Sequence, residues 1–457
     1  MSDLQHVHAR KCLPDQRALA AALAALLPAL LLLSAAPSAA SVSWRPESGA
    51  RGLGMGTAIV SNSTDTAAIL VNPALIADAD GTVAGLSTVN FYHPDGIAFK
   101  RAPDLLSPTG YPQQYTTNSF STVPHLGVLH HPKGEKVAFG FAVNVPFAED
   151  LEWGNGPNRY WTTDSKFSFT YVTPAVAYKI LPSLAIGAGL DIVFFDGEIN
   201  AKVDWGALAG RPENAAFDGN GHMSGDGWGY AANAGISFKP TEKLSFGLSY
   251  LSSVTMIASG TRYVTIPVQL QQALGMPAKI EYRDEEMDLR MPEIWRLGAS
   301  FKPLSALLVT GEVQLLQRSK ERLLLRNKGS SHPQILEDGE ENLIPVAFEN
   351  ALTYKLGMEY RLGSLALRMG GLIDENGIPD GSMSPGSIDA DKWAITAGAG
   401  YSFSSFDLDF AYAFLAGDER TVTTSQIKNR ITGIPANGVY DMDTHVIGLS
   451  VTYRGRR

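Results

Sequence analysis

Leu184-Ala-Ile-Gly-Ala-Gly-Leu-Asp-Ile-Val-Phe194 alternates with a period of two, and its two faces differ sharply. In an extended chain Leu184, Ile186, Ala188, Leu190, Ile192 and Phe194 fall on one side, and Ala185, Gly187, Gly189 and Asp191 on the other. The pattern recurs. Trp393, Ile395, Ala397, Ala399, Tyr401 and Phe403 oppose Ala394, Thr396, Gly398, Gly400 and Ser402; Phe406, Leu408, Phe410, Tyr412 and Phe414 oppose Asp407 and Asp409. Charges turned inward behind an oily, aromatic exterior are what a strand of a lipid-embedded barrel requires. A water-exposed sandwich or propeller would place more Lys and Thr on the outer face, and no blade-length repeat is present.

Composition agrees with a large, glycine-rich β protein. Of 457 residues 45 are Gly, 9% are aromatic and only 18% are charged, which excludes a coiled coil, a disordered chain and a helix-rich enzyme. A mean hydropathy of -0.03 is too low for a multi-span helical membrane protein. The net charge of -9 provides no basic stripe for nucleic acid.

The amino terminus reads as an export signal. Arg10, Lys11 and Arg17 precede an apolar run from Ala18 to Ala36, and Ser38-Ala39-Ala40 supplies small residues for cleavage after Ala40. The alternative is a retained anchor, since the run is about as long as a short span. Cys12, the only cysteine, leaves with residues 1–40, so no disulfide or thiolate metal site is expected. No later stretch approaches the ~20 apolar residues of a spanning helix, so a membrane form must be a closed barrel.

Connection lengths supply the layout. Tight-turn residues stand near His131-Pro132-Lys133-Gly134, Leu181-Pro182-Ser183, Pro240-Thr241-Glu242, Pro303-Leu304, Gly363-Ser364 and Ser404-Ser405. Long polar excursions are expected at 147–166, 197–227, 259–290, 319–347, 374–391 and 417–440. Adding strands near 83–92 and 443–453 predicts a 14-stranded antiparallel transmembrane β-barrel over 83–457, even-numbered as bacterial barrels are. The last strand carries Ile447, Leu449, Val451 and Tyr453 on one face, an aromatic ending similar to the signal read by the barrel-assembly machinery, although Arg454-Gly-Arg-Arg follows it. Residues 41–82 alternate poorly and read as a compact N-terminal hatch, or plug. So wide a lumen cannot be filled by side chains alone.

Several motifs then acquire a common meaning. Ser48-Gly49-Ala50-Arg51-Gly52-Leu53-Gly54, Asn72-Pro73-Ala74-Leu75, Gly225-Asp226-Gly227-Trp228-Gly229-Tyr230 with Asn233-Ala234-Gly235-Ile236, Met291-Pro292-Glu293-Ile294-Trp295, and Asp389-Ala390-Asp391-Lys392-Trp393 occur in order along the chain. Together they resemble the FadL-type long-chain fatty-acid transporters of bacterial outer membranes, over essentially the whole exported chain. The resemblance implies passive uptake of long-chain fatty acids or similar hydrophobic compounds by a monomer in contact with outer-membrane lipid. It also implies a hatch motif at Gly52, Leu53, Gly54, Asn72, Pro73 and Ala74, and a lateral exit through a kinked third strand.

That strand is expected near Lys136–Trp153, with the opening at Asn144, Val145 and Pro146. Proline gives no N–H to a ladder; it belongs at an edge or a bulge, or it merely ends the strand at the outer loop. Head-group candidates are Lys202, just past the fourth strand, and Arg326, each of which also reads as a solvated loop charge. Leu323, Leu324 and Leu325 form a candidate landing site in an outer loop, or pack only against neighbouring loops. No cofactor, metal or catalytic residue is expected. Asp218-Gly-Asn-Gly-His222 with Gly225-Asp226-Gly227 resembles a calcium loop, but Met223 occupies the glycine position and the closing Glu is missing. No G-x-S-x-G, H-E-x-x-H or P-loop occurs. The rival readings are a diffusion porin and a structural or adhesive barrel.

Overall fold

The computed structural model describes residues 49–455 except 283–284, 327–341, 344–346 and 430; within these, the side chains of 273–274, 322–326 and 342–343 are not described. The expected leader and cleavage site, residues 1–40, lie outside the described residues. No described helix is long and apolar enough to cross a membrane. The membrane is spanned instead by a closed barrel of fourteen antiparallel strands.

In chain order these are β1 (Gly81–Tyr92), β2 (Phe120–His131), β3 (Val137–Glu152), β4 (Asp164–Leu181), β5 (Leu184–Asp204) and β6 (Asp218–Phe238). Then come β7 (Leu244–Leu251 and Thr255–Thr265), β8 (Glu285–Arg290 and Glu293–Leu304), β9 (Leu307–Gln317 and Arg322–Arg326) and β10 (Ala351–Leu362). The last four are β11 (Leu365–Asp374), β12 (Lys392–Ser402), β13 (Phe406–Gly417) and β14 (Asp443–Arg454). β14 returns to pair with β1 from Val83↔Arg454 to Tyr92↔His445, which closes the cylinder and leaves no sheet edge in lipid.

The period-two pattern explains the orientation of every strand. Ile186, Leu190 and Phe194 are exposed on β5, whereas Asp191 between them is fully buried. Aromatics collect at two levels of the outer surface. Tyr178, Phe238, Phe301, Tyr360, Tyr401 and Tyr453 lie near the short turns, and Trp228, Tyr250, Trp295, Tyr354 and Trp393 nearer the long loops. Trp393 and Tyr401 are eight residues apart on β12, about 21 Å of depth at a tilt near 40°, close to the height of a bilayer's apolar band.

The long connections differ from expectation in one respect. Much of 147–166, 197–227 and 259–290 is not loop, because β3, β4, β5, β6, β7 and β8 continue as paired strands beyond the membrane level. Polar residues alternate there as easily as apolar ones. Residues 93–119 form a further long connection. Their segments Ala98–Arg101 and Gln114–Tyr115 join Arg420–Val422 and Gly438–Asp441 in a small four-stranded sheet separate from that of the barrel. Arg101 pins this sheet by bonding Glu213 at 2.7 Å and Asp104 at 2.6 Å.

Candidate functional site: hatch, chamber and wall opening

Residues 49–80 lie inside the barrel. Short helices α1 (Gly49–Leu53) and α2 (Ala68–Val71) and a 3-10 turn (Pro73–Asp78) are almost wholly buried. The hatch is bonded around the circumference. Ala50 N donates to Ser450 Oγ on β14 at 2.8 Å, Gly56 N to Thr396 Oγ1 on β12 at 3.0 Å, and Val60 N to Glu312 Oε2 on β9 at 2.9 Å. Thr66 Oγ1 meets His125 Nε2 on β2 at 2.9 Å.

Asn72 organises the turn. Its Oδ1 accepts from Ala74 N at 3.2 Å, while Nδ2 donates to Val60 O at 2.8 Å and to Ile236 O on β6 at 3.0 Å. Pro73 then takes the first helical position, where its missing N–H costs nothing. Gly52 and Leu53 end α1, Gly54 approaches Gly398, and Ala74 is fully buried. A buried ion network secures the first turn: Glu359 receives Arg51 at 3.1 Å, Arg368 at 2.7 Å and Arg361 at 2.9 Å. Arg368 also reaches Asp409 at 2.7 Å.

Beyond the hatch, toward the long loops, the inward faces change character. On β5 they run Ala185, Gly187, Gly189, Asp191, then Val193 and Phe195. Phe147, Phe169, Tyr171, Val193, Phe195, Met256, Met287, Met291 and Leu316, among others, form one buried apolar cluster contributed by β3 to β9. Unbranched methionine adapts to irregular partners, and this apolar cluster of the lumen is called the chamber below. Nothing in the sequence alone singles out these residues until the inward face is known. The signal is the switch from Gly and Ala to bulky residues along that face.

The β2–β3 ladder stops beside this cluster. β2 pairs with β3 only from His130↔Phe139 to His125↔Asn144. Further along, β2 stays paired with β1 as far as Phe120, and β3 with β4 as far as Glu152, but not with each other. The register between β3 and β4 shifts between Asn144 and Phe147, so Val145 and Pro146 together oppose Thr170. This is a β-bulge, a place that tolerates proline. A second proline, Pro124, stands on β2 at the same level. Past the gap, Asn118 Nδ2 donates to Asp150 O at 2.6 Å and Thr117 N to Glu152 O at 2.6 Å. The unpaired stretch 145–149 is therefore framed at both ends and measures about 17 Å along the strand. Phe147, buried beside the bulge, belongs to the chamber cluster.

The other sequence-derived positions fall elsewhere. Lys202 is not past the fourth strand; it lies in the extension of β5, paired with Asn220 of β6. Its parity is that of outward-facing Phe194, and Nζ donates to Asn220 Oδ1 at 2.6 Å in a polar cleft of about 360 Å³ with Asp164, Asn200 and His222. Leu323, Leu324, Leu325 and Arg326 belong to a wall strand rather than an outer loop, opposite Leu289, Asp288, Met287 and Glu286 of β8; their side chains lie outside the described residues. Asp218 is engaged by Arg159 and Tyr160, both at 2.8 Å, and His222 lies within β6. Among the described residues no cluster could hold a metal.

The model of the outer membrane protein transport protein family (OMPP1/FadL/TodX) matches residues 30–454. The chain belongs to this family. It is an outer-membrane transport protein, of a family that moves hydrophobic compounds. It is 24% identical over 454 residues to the 47 kDa outer membrane protein of Pasteurella multocida, covering 94% of this chain and 97% of the relative. Identity to the long-chain fatty acid transport protein of Salmonella typhi is 22% over 304 residues, 59% of this chain and 67% of that one. In fold, a FadL homologue of Pseudomonas aeruginosa matches with a TM-score of 0.74 at 19% identity, over 92% of this chain and all of that one, 100%. The toluene transporter TodX of P. putida matches at 0.63 with 17% identity, over 91% and 98%.

Proposed function

We propose that this barrel takes up long-chain fatty acids or similar hydrophobic compounds passively, without catalysing a reaction. In this reading cargo gathers at the outer loops, enters the chamber of Phe169, Phe195, Met256 and Met287, and leaves sideways into the bilayer between β2 and β3. The observation that carries the reading is the stretch 145–149, which has no ladder partner on β2 and contains Phe147 of the apolar cluster. Burial contributes about 0.8 kcal/mol per methylene, so an acyl chain prefers each apolar station to water, and an exit into lipid requires no fuel. Similarity to a relative named a long-chain fatty acid transport protein supports this cargo class. We take the chain to work as a monomer inserted by the barrel-assembly machinery.

Uptake of labelled oleate by cells with and without the protein tests the reading. Faster uptake is expected with it; equal rates, with the barrel verified at the surface, would sink the proposal. A diffusion porin would pass a large steady single-channel current, which the bonded hatch argues against.

A further inference from the structure

We propose that the polar cleft above the lipid-facing wall of β4 to β7 binds a neutral sugar residue, and that this sugar belongs to the saccharide of the lipopolysaccharide in which the barrel stands. The inference goes beyond the transport reading and does not depend on it.

The side on which the cleft opens follows from strand parity. Along β6, Tyr230, Trp228, Asp226, Ser224, His222 and Asn220 occupy alternate positions. Trp228 and Tyr230 are 58% and 54% exposed and face lipid. The β5–β6 ladder runs from Leu184↔Phe238 to Asp204↔Asp218 without a register shift, so the same face continues outward past the aromatic level. His222 lies six residues beyond Trp228, about 16 Å higher at a tilt near 40°. Asp164 pairs with Asn200, and Tyr263 with His222, on the same face. The cleft therefore opens on the outside of the cylinder, at a height where glycolipid sugars rather than acyl chains surround the wall.

Its side chains are held in place by one another. Asp164 Oδ1 accepts from Asn200 Nδ2 at 2.6 Å, Asn200 Oδ1 accepts from His222 Nδ1 at 2.8 Å, and His222 Nε2 meets Ser224 Oγ at 3.1 Å. This chain of bonds fixes three side chains across β4, β5 and β6. Lys202 Nζ donates to Asn220 Oδ1 at 2.6 Å, which uses one of the ammonium's three donors and leaves the Asn220 amide its own pair. The carboxylates of Asp164 and of exposed Glu152 supply acceptors in the same space. A sugar hydroxyl donates once and accepts in the same place, so neighbouring hydroxyls are satisfied by this mixture of carboxylate, amide and ammonium. A hydrocarbon would leave the groups unpaired. A phosphate would need clustered cations, and these are engaged. Lys202 stands among Glu152, Asp164 and Glu198, Arg159 is held by Asp218 at 2.8 Å, and Lys279 by Glu281 at 2.6 Å. The volume of about 360 Å³ has room for a hexose and part of its neighbour.

The test uses the purified full-length barrel and four probes. These are lipopolysaccharide with a complete core, the same lipid truncated to its innermost acidic sugars, the free oligosaccharide released from the complete form, and maltotriose. The complete form should bind at least about tenfold more tightly than the truncated one, and the free oligosaccharide should compete with it. Asp164→Ala with Asn220→Ala should reduce that ratio to about twofold. Should the double variant lose the heat-modifiable mobility of a folded barrel, Lys202→Ala alone should still lower the ratio about threefold. Equal binding of the two lipids overturns the proposal, as does a ratio that the folded variants leave unmoved. Failure of the free oligosaccharide to compete places the contact on the lipid and overturns it. A preference that a chelator abolishes also overturns it, in favour of phosphate bridged by a divalent cation. Competition by maltotriose as strong as that of the core oligosaccharide overturns the assignment to lipopolysaccharide and gives the cleft to free glycans.

Discussion

A side chain at Gly187 would collide with the hatch backbone: a Cβ built there lies 2.3 Å from the carbonyl carbon of Pro73 and 2.4 Å from Ala74 N. Gly357 stands in the same relation to the carbonyl oxygen of Met55, at 2.3 Å. These glycines are spaces that the plug occupies, which is why they fall on inward faces. Gly187→Ala should therefore lift the Asn72–Ala74 turn from its seat while leaving the barrel ladder intact. The expected outcome is a higher single-channel conductance with unchanged β-content; an unchanged conductance would show that the hatch yields without losing its fit. Glu359 poses the electrostatic counterpart. Glu359→Gln leaves Arg51, Arg368 and Arg361 facing one another around a neutral amide, and breaking a buried pair of this kind typically costs about 3–5 kcal/mol. The barrel's unfolding temperature and the hatch's resistance to protease should both fall, whereas a neutral effect would mean that Asp409 and water replace the lost charge.

At the level of single elements, β3 is the strand on which the proposed exit route depends. Its two-residue bulge, Val145 and Pro146 opposite Thr170, ends the pairing with β2 and re-aims Phe147 into the chamber. Deleting Pro146 removes the extra residue, restores one register through the strand and brings an N–H to the ladder. Oleate uptake should fall at least about tenfold while heat-modifiable mobility on gels stays that of a folded barrel. Normal uptake by such a variant would place the exit in another part of the wall. Much of this was legible from sequence. Period two with oily and small faces identifies the strands, Gly, Pro and Ser mark the short turns, and Pro146 marks the irregular strand because a missing N–H is a local fact. The chamber was not legible, because Phe147, Phe169 and Met287 become neighbours only when β3, β4 and β8 curve around a common lumen, a relation between strands far apart in the chain. Lys202 falls within β5 rather than past a strand because polar alternation continues past the membrane level, where hydropathy no longer marks the strand's end. Pro124 stands on β2 where its ladder with β3 stops, yet a proline near a strand end is common enough to pass unnoticed.

For the molecule as a whole, the question is whether cargo goes through the hatch or around it. The hatch is bonded to β2, β6, β9, β12 and β14, so withdrawing it as a body would break contacts on all sides of the cylinder at once. An exit between β2 and β3, where their ladder stops, requires none of that. A covalent lock separates the two routes. Ser61 Oγ on the hatch lies 3.2 Å from Ser300 Oγ on β8, close enough for a disulfide after paired replacement by cysteine. The sequence has a single cysteine, Cys12, within the leader expected to be removed, so the engineered pair has no competing thiol in the exported chain. With Ser61→Cys and Ser300→Cys oxidised, the hatch cannot leave. If cargo exits sideways, oleate uptake should stay within about twofold of the reduced form, since the lock touches neither the chamber nor β3. If the hatch must swing out, oxidation should stop uptake and a reductant should restore it. Mass-spectrometric confirmation of the cross-link makes either result decisive.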